Sequence, residues 1–126
     1  MRNIIPFIFL MTLSITGTSQ AQTFEVIGVD TLNKIDMHNQ RVGKWVIRGK
    51  HQLTKIKGGY QSESKIEEGM YINNRKNGLW IEYYRNGKER SKLTYVNGVL
   101  DGDAIFYNTD GKILKEGKFK GNKWVN

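Results

Sequence analysis

The chain has 126 residues, with 20 Lys and Arg against 12 Asp and Glu, a formal net charge of +8 and no cysteine. That length suits one domain with a modest core and leaves little room for a deep, enclosed site. The cysteine count excludes a disulfide framework and a cysteine-borne lipid anchor, so stability must come from packing and strand pairing.

The first stretch, MRNIIPFIFLMTLSITGTSQA from Met1 to Ala21, has a positive start at Arg2 and an apolar run from Ile4 to Ile15. Ser19 and Ala21 place small residues where a signal peptidase reads. The run is short for a bilayer-spanning anchor. A cleaved signal peptide over 1–21 is therefore expected, with an exported chain beginning at Gln22 and a periplasmic or secreted location. Cleavage would also remove the single proline, Pro6. Residues 22–40 form a lead segment in which Thr31–Gln40 fits either a turn of helix or a loop. No later stretch sustains an apolar spacing of three and four, so no helix is expected beyond it.

Two stretches concentrate the positive charge. Arg41–Tyr60 carries Arg41, Lys44, Arg48, Lys50, Lys55 and Lys57 without an acid, and Lys112–Asn126 has five lysines against Glu116 alone. This describes a soluble basic surface and permits an anionic partner through long-range attraction. No RNP-like motif or recognition helix accompanies it, and nucleic acid is not an expected partner.

From residue 41 onward the chain repeats itself. Sliding it by 24 residues lays Tyr71–Lys88 over Tyr95–Lys112, with identities at Tyr71/Tyr95, Asn73/Asn97, Gly78/Gly102, Ile81/Ile105, Tyr83/Tyr107, Gly87/Gly111 and Lys88/Lys112. A further step puts Phe119 in the place of Tyr71 and Tyr95. Gly43-Lys44-Trp45-Val46-Ile47 resembles Gly78-Leu79-Trp80-Ile81-Glu82 and marks an earlier unit, separated by an insertion near Lys57–Ser62. Asn86-Gly87 and Asp110-Gly111 are favoured pairs for type I′ hairpin turns, and Asn73–Gly78 and Asn97–Gly102 read as wider connections. Between them lie strand-forming runs of Tyr, Ile, Trp, Leu, Val and Phe. In Leu79–Tyr84, alternation puts Leu79, Ile81 and Tyr83 on one face and Trp80, Glu82 and Tyr84 on the other. The expected fold is all-β: an elongated antiparallel meander of stacked hairpins over 41–126.

This pattern resembles the bacterial variant of the MORN repeat, in which a glycine, a bulky residue, a tyrosine and an Asn-Gly-Lys turn follow in order. Gly78, Trp80, Tyr83, Asn86, Gly87 and Lys88 match it. Gly102, Phe106, Tyr107, Asp110, Gly111 and Lys112 match again, with Ala104 where a tryptophan is usual, and Trp124 opens a partial third copy. The resemblance covers Gly69–Lys112 well and Arg41–Asn126 loosely. It implies stacked hairpins in a twisted sheet and a non-enzymatic role. Eukaryotic relatives are scaffolds linked to membrane attachment, and a bacterial group is called the YwqK-family antitoxins, a name that implies neutralising a toxin by binding it.

The residues themselves offer little chemistry. His38 and His51 lack the carboxylate spacing of a metal site. Ser62, Ser64 and Ser91 sit in no recognisable nucleophile turn. Glu67 and Glu68 are neighbours on a strand and point to opposite faces, while Asp101 and Asp103 flank a turn. No catalytic, metal-binding or cofactor-binding residue is expected. A single-layer sheet leaves aromatics accessible, and these favour protein interfaces. The expected partner-binding residues are Trp80, Tyr84 and Phe106, with Lys118, Lys120 and Lys123 steering encounter. Tyr84 leads, because its counterpart Asn108 shows that packing does not require an aromatic there. The expected function is an exported protein-binding or scaffold module. The alternatives are an immunity protein against a partner toxin and a binder of anionic envelope lipid or glycan.

Overall fold

The computed structural model describes residues 23–27, 30–49 and 64–125. The signal segment, His51 and the proposed insertion at Lys57–Ser62 lie outside the described residues. Nine strands follow one another: β1 Thr23–Ile27, β2 Asp30–Ile35, β3 Arg41–Arg48, β4 Lys65–Ile72, β5 Arg75–Tyr83, β6 Glu89–Val96, β7 Val99–Tyr107, β8 Ile113–Lys120 and β9 Lys123–Val125. They form one sheet whose spatial order is the chain order, every neighbouring pair antiparallel. The meander read from the sequence is the observed architecture. The 24-residue period is visible in the strand bounds themselves, since β4, β6 and β8 begin at 65, 89 and 113, and β5, β7 and β9 at 75, 99 and 123.

The lead segment differs from its expected form. It supplies β1 and β2, and Asp36–Gln40 closes a turn into β3. The pairing of β2 with β3 extends over only Lys34↔Val42 and Ile35↔Arg41. Beyond it, the Asn33 side-chain amide accepts from the Val46 N–H at 2.8 Å and donates to the Val46 carbonyl at 3.2 Å. One amide side chain thus satisfies both backbone groups of a β3 residue whose ladder has run out.

The two kinds of turn are exchanged relative to expectation. Asn73-Asn74 and Asn97-Gly98 have positive φ at both residues, as do Gly121-Asn122. These are the two-residue turns of the I′ kind, whose twist matches that of the flanking strands. At Asn86-Gly87 only Gly87 has positive φ. There the Tyr84 N–H donates to the Lys88 carbonyl at 2.8 Å and the Gly87 N–H to the Tyr84 carbonyl at 3.0 Å, the pattern of a type I turn followed by a bulge glycine. Asn108–Lys112 repeats it with bonds of the same lengths, and Asp36–Gln40 uses the same scheme with Asn39 in the left-handed position. The Asn-Gly dipeptide serves both turn types, so the dipeptide alone cannot separate them.

The hairpins lock together at both ends. At the tight-turn end, the Gly98 N–H donates to the Lys76 carbonyl at 2.8 Å and, one period on, the Asn122 N–H to the Leu100 carbonyl at 2.9 Å. At the other end, the turn at 84–88 leans on the turn at 108–112. The Tyr84 hydroxyl donates to the Tyr107 carbonyl at 2.7 Å and the Asn86 amide to the Thr109 carbonyl at 3.1 Å.

Candidate functional site

Residues directly paired across an antiparallel ladder share a face, so the register sorts every side chain into one of two surfaces. The first is aromatic. It carries Trp45 on β3, Tyr71 on β4, Trp80 on β5, Leu93 on β6, Ala104 and Phe106 on β7, Phe119 on β8 and Trp124 on β9. Tyr71 stands edge-on between Trp45 and Trp80, with ring centroids 5.5 and 4.9 Å away, and Trp124 meets Phe119 edge-on at 5.1 Å. These geometries suit the ring quadrupoles.

The tryptophans are seated on glycines. A Cβ added to Gly69 would collide with the Trp80 ring, and one added to Gly117 would collide with Trp124. One period after Gly69 and Trp80 come Leu93 and Ala104, both buried. A large residue on the first strand of the hairpin is thus matched by a small one on the second. This explains how the second copy accommodates Ala104 at the position that Trp80 holds in the first.

Cations cover several of these rings. Lys76 Nζ sits 4.1 Å from the Trp80 centroid, Lys115 Nζ 3.8 Å from that of Trp124, and the Arg41 guanidinium 5.5 and 5.0 Å from Trp45 and Tyr71. All lie within the range of a cation–π contact. Lys76 also pairs with Glu67, and Arg41 donates to the Tyr71 hydroxyl at 2.8 Å. This face is largely engaged with itself.

The second face alternates aliphatic with charged residues. Its middle row runs Val46, Glu68, Ile81, Lys92, Ile105, Glu116 across β3 to β8. Here the Tyr83 hydroxyl donates to Glu68, which also pairs with Lys65 at 3.1 Å. Burial, and then Glu68, push the Tyr83 hydroxyl well above the ordinary tyrosine value. Burial alone would raise the Glu68 carboxyl, but Tyr83 and Lys65 outweigh it and hold Glu68 below the usual carboxylate range. Glu67 and Glu68 therefore work on opposite faces, as strand alternation requires.

Toward the tight-turn end this second face opens. Met70, Ile72, Leu79, Val96, Val99 and Val125 all lie on it and are all exposed, Leu79 by 52% and Val96 by 55%. Lys118, Lys120 and Lys123 share the same face at its β8–β9 side. Lys118 reaches Asp103 at 3.2 Å. Lys120 and Lys123 stand directly opposite each other.

The expected binding residues are therefore divided. Trp80 is only 1% exposed, because its ring lies on Gly69 beneath Lys76, and it offers no surface to a partner. Phe106 shares that aromatic face, half-buried and tilted against Trp124 at 6.2 Å. Tyr84 is half-buried and its hydroxyl is committed to the Tyr107 carbonyl; it is a brace between turns, not a free anchor. Asn108, its counterpart, caps its own turn by accepting from the Asp110 and Lys112 N–H groups. The two residues do different jobs, so their lack of resemblance says nothing about exposure. Lys118, Lys120 and Lys123 come together, but on the other face from Trp80 and Phe106. The exposed aliphatics do not stand out in the sequence, because aromatics dominate the repeat. Their signal was present in the pairs Met70/Ile72 and Thr94/Val96, which alternate out of phase with the buried Tyr71 and Leu93.

Among the described residues, no group of three or more His, Cys, Asp and Glu is placed to hold a metal ion. Ser91 is buried, and its hydroxyl donates to Glu82 at 2.8 Å. His38 is exposed on the turn before β3.

Comparison of the chain with family models, with curated proteins and with solved structures returned no match.

Proposed function

We propose that the chain is an exported, non-catalytic binding module that takes a protein partner on the exposed aliphatic half of its second face. The observation that carries this reading is the gathering of Met70, Ile72, Leu79, Val96 and Val99 on one face of the neighbouring strands β4 to β7, all exposed. Scattered surface aliphatics are ordinary, whereas a contiguous patch with a polar rim is the usual make-up of an interface. The aromatic face, with its rings under Lys76, Lys115 and Arg41, is the structural side. The signal-like first stretch supports export, and the resemblance to MORN repeats supports a scaffold or neutralising role.

The test is affinity capture with the full chain as bait. The Leu79→Asp/Val96→Asp variant should fold, since both side chains are exposed, and should lose whatever protein the native chain retains. Lys115→Glu, on the opposite face, should retain it. Equal capture by all three would remove the aliphatic patch as the binding surface. Recovery of an inhibited toxic enzyme would specify the partner as a toxin.

A further inference from the structure

The charges around the aliphatic patch say what kind of partner it fits. The tight-turn edge of this face steps through three equivalent cross-strand pairs, Ile72↔Arg75, Val96↔Val99 and Lys120↔Lys123, each 24 residues after the last. It begins apolar, around one arginine, and ends in two lysines. Lys120 and Lys123 are direct cross-strand partners, and like charges in that position repel. Among the described residues neither forms an ion pair; on the same face of β7, Asp103 is taken by Lys118, and the exposed Asp101 lies beside Lys120 without pairing with it. Neighbouring strands lie about 4.8 Å apart, so the lysine pair begins one strand beyond Val99.

We infer that this surface binds an acidic polypeptide segment, with apolar side chains laid over Leu79, Val96 and Val99 and carboxylates placed between Lys120 and Lys123. This rests on the binding reading of the same face. A carboxylate at the lysine pair replaces a repulsion with two attractions, and the aliphatic rows supply area that water would otherwise cover. The apolar and cationic parts share one face of the neighbouring strands β6 to β9, which asks for both chemistries in one ligand. A bare anion would leave the aliphatics wet. An anionic bilayer would also press against Asp103 on the same face.

The experiment is selection of a display library of random short peptides on the full chain, repeated on Leu79→Asp and on Lys120→Ser/Lys123→Ser, with phosphatidylglycerol vesicles as a parallel probe. The expected result is a set of binders in which Leu, Ile or Phe lies next to Asp or Glu. Leu79→Asp should abolish their binding. The double serine variant should weaken it about tenfold, and less so at high salt, where exposed charges are screened. Apolar binders without acids, lost in Leu79→Asp alone, would overturn the acidic partner while leaving the binding surface in place. Binders indifferent to Leu79→Asp, or no enrichment at all, would overturn both. Vesicle binding that depends on the two lysines, in place of peptide binding, would assign the surface to a membrane and overturn the inference.

Discussion

Gly69 and Trp80 show how a single side chain sets the packing of the aromatic face. Gly69→Ala would drive a methyl group into the indole, and overpacking of this kind costs about 1–3 kcal/mol. The same logic gives a sharper test one period later. Ala104→Trp should destabilise strongly against Leu93, whereas Leu93→Gly/Ala104→Trp should recreate the first hairpin's arrangement. The double-mutant cycle should therefore show a favourable coupling of about 0.5–3 kcal/mol by thermal or urea denaturation. A second prediction concerns Tyr83. Its folded pKa is raised by burial and by Glu68, so the folded state holds its proton more tightly than the unfolded chain. The resulting stability is fully present below the unfolded tyrosine value of about 10 and is lost as pH rises above it. The melting temperature should fall in that alkaline range, and Tyr83→Phe should make the decline shallower. An unchanged slope would mean that the Tyr83–Glu68 bond is not linked to folding.

At the scale of the hairpin, the turn types make opposite demands on their residues. Asn97 has φ of +50°, so Asn97→Ala places a Cβ residue in the left-handed region without the local polar contacts that Asn provides, a cost of about 1–2 kcal/mol. Asp110 lies outside that region, so Asp110→Ala should be nearly neutral. Gly111, with φ of +90°, should not tolerate valine, at about 1–3 kcal/mol. Denaturation of the three variants separates this scheme from one in which Asp110-Gly111 is the tight turn. The sequence made the strands legible because the period of 24 falls on aromatics and turn residues, the positions where a stacked hairpin has least freedom. It did not reveal turn type, because Asn and Gly suit both. It misplaced Tyr84 because the Tyr107 carbonyl that it reaches is 23 residues away. Trp80 read as an exposed anchor because the glycine that receives it lies on the preceding strand. The lysine cluster was legible from composition, but its face depended on the register of β8 with β9.

Across the whole molecule, one sheet offers two unlike surfaces. The aromatic side is braced by its own cations, and the aliphatic side is left open at the tight-turn end. A chain exported in the proposed way should be recovered from its host beginning at Gln22, as intact-mass spectrometry would show; recovery of membrane-held protein beginning at Met1 would remove export from the account. The central claim, that the partner sits on the aliphatic half-face, is tested most directly by site-specific photocrosslinking. Benzoylphenylalanine replaces Leu79 in one full-length variant and Lys115, exposed on the aromatic face, in another. After irradiation in the native compartment, position 79 should yield a discrete crosslinked species with one protein, lost when Val96→Asp is added, and position 115 should yield none. A discrete crosslink from position 115 with none from position 79 would contradict the account and move the binding surface to the other side of the sheet.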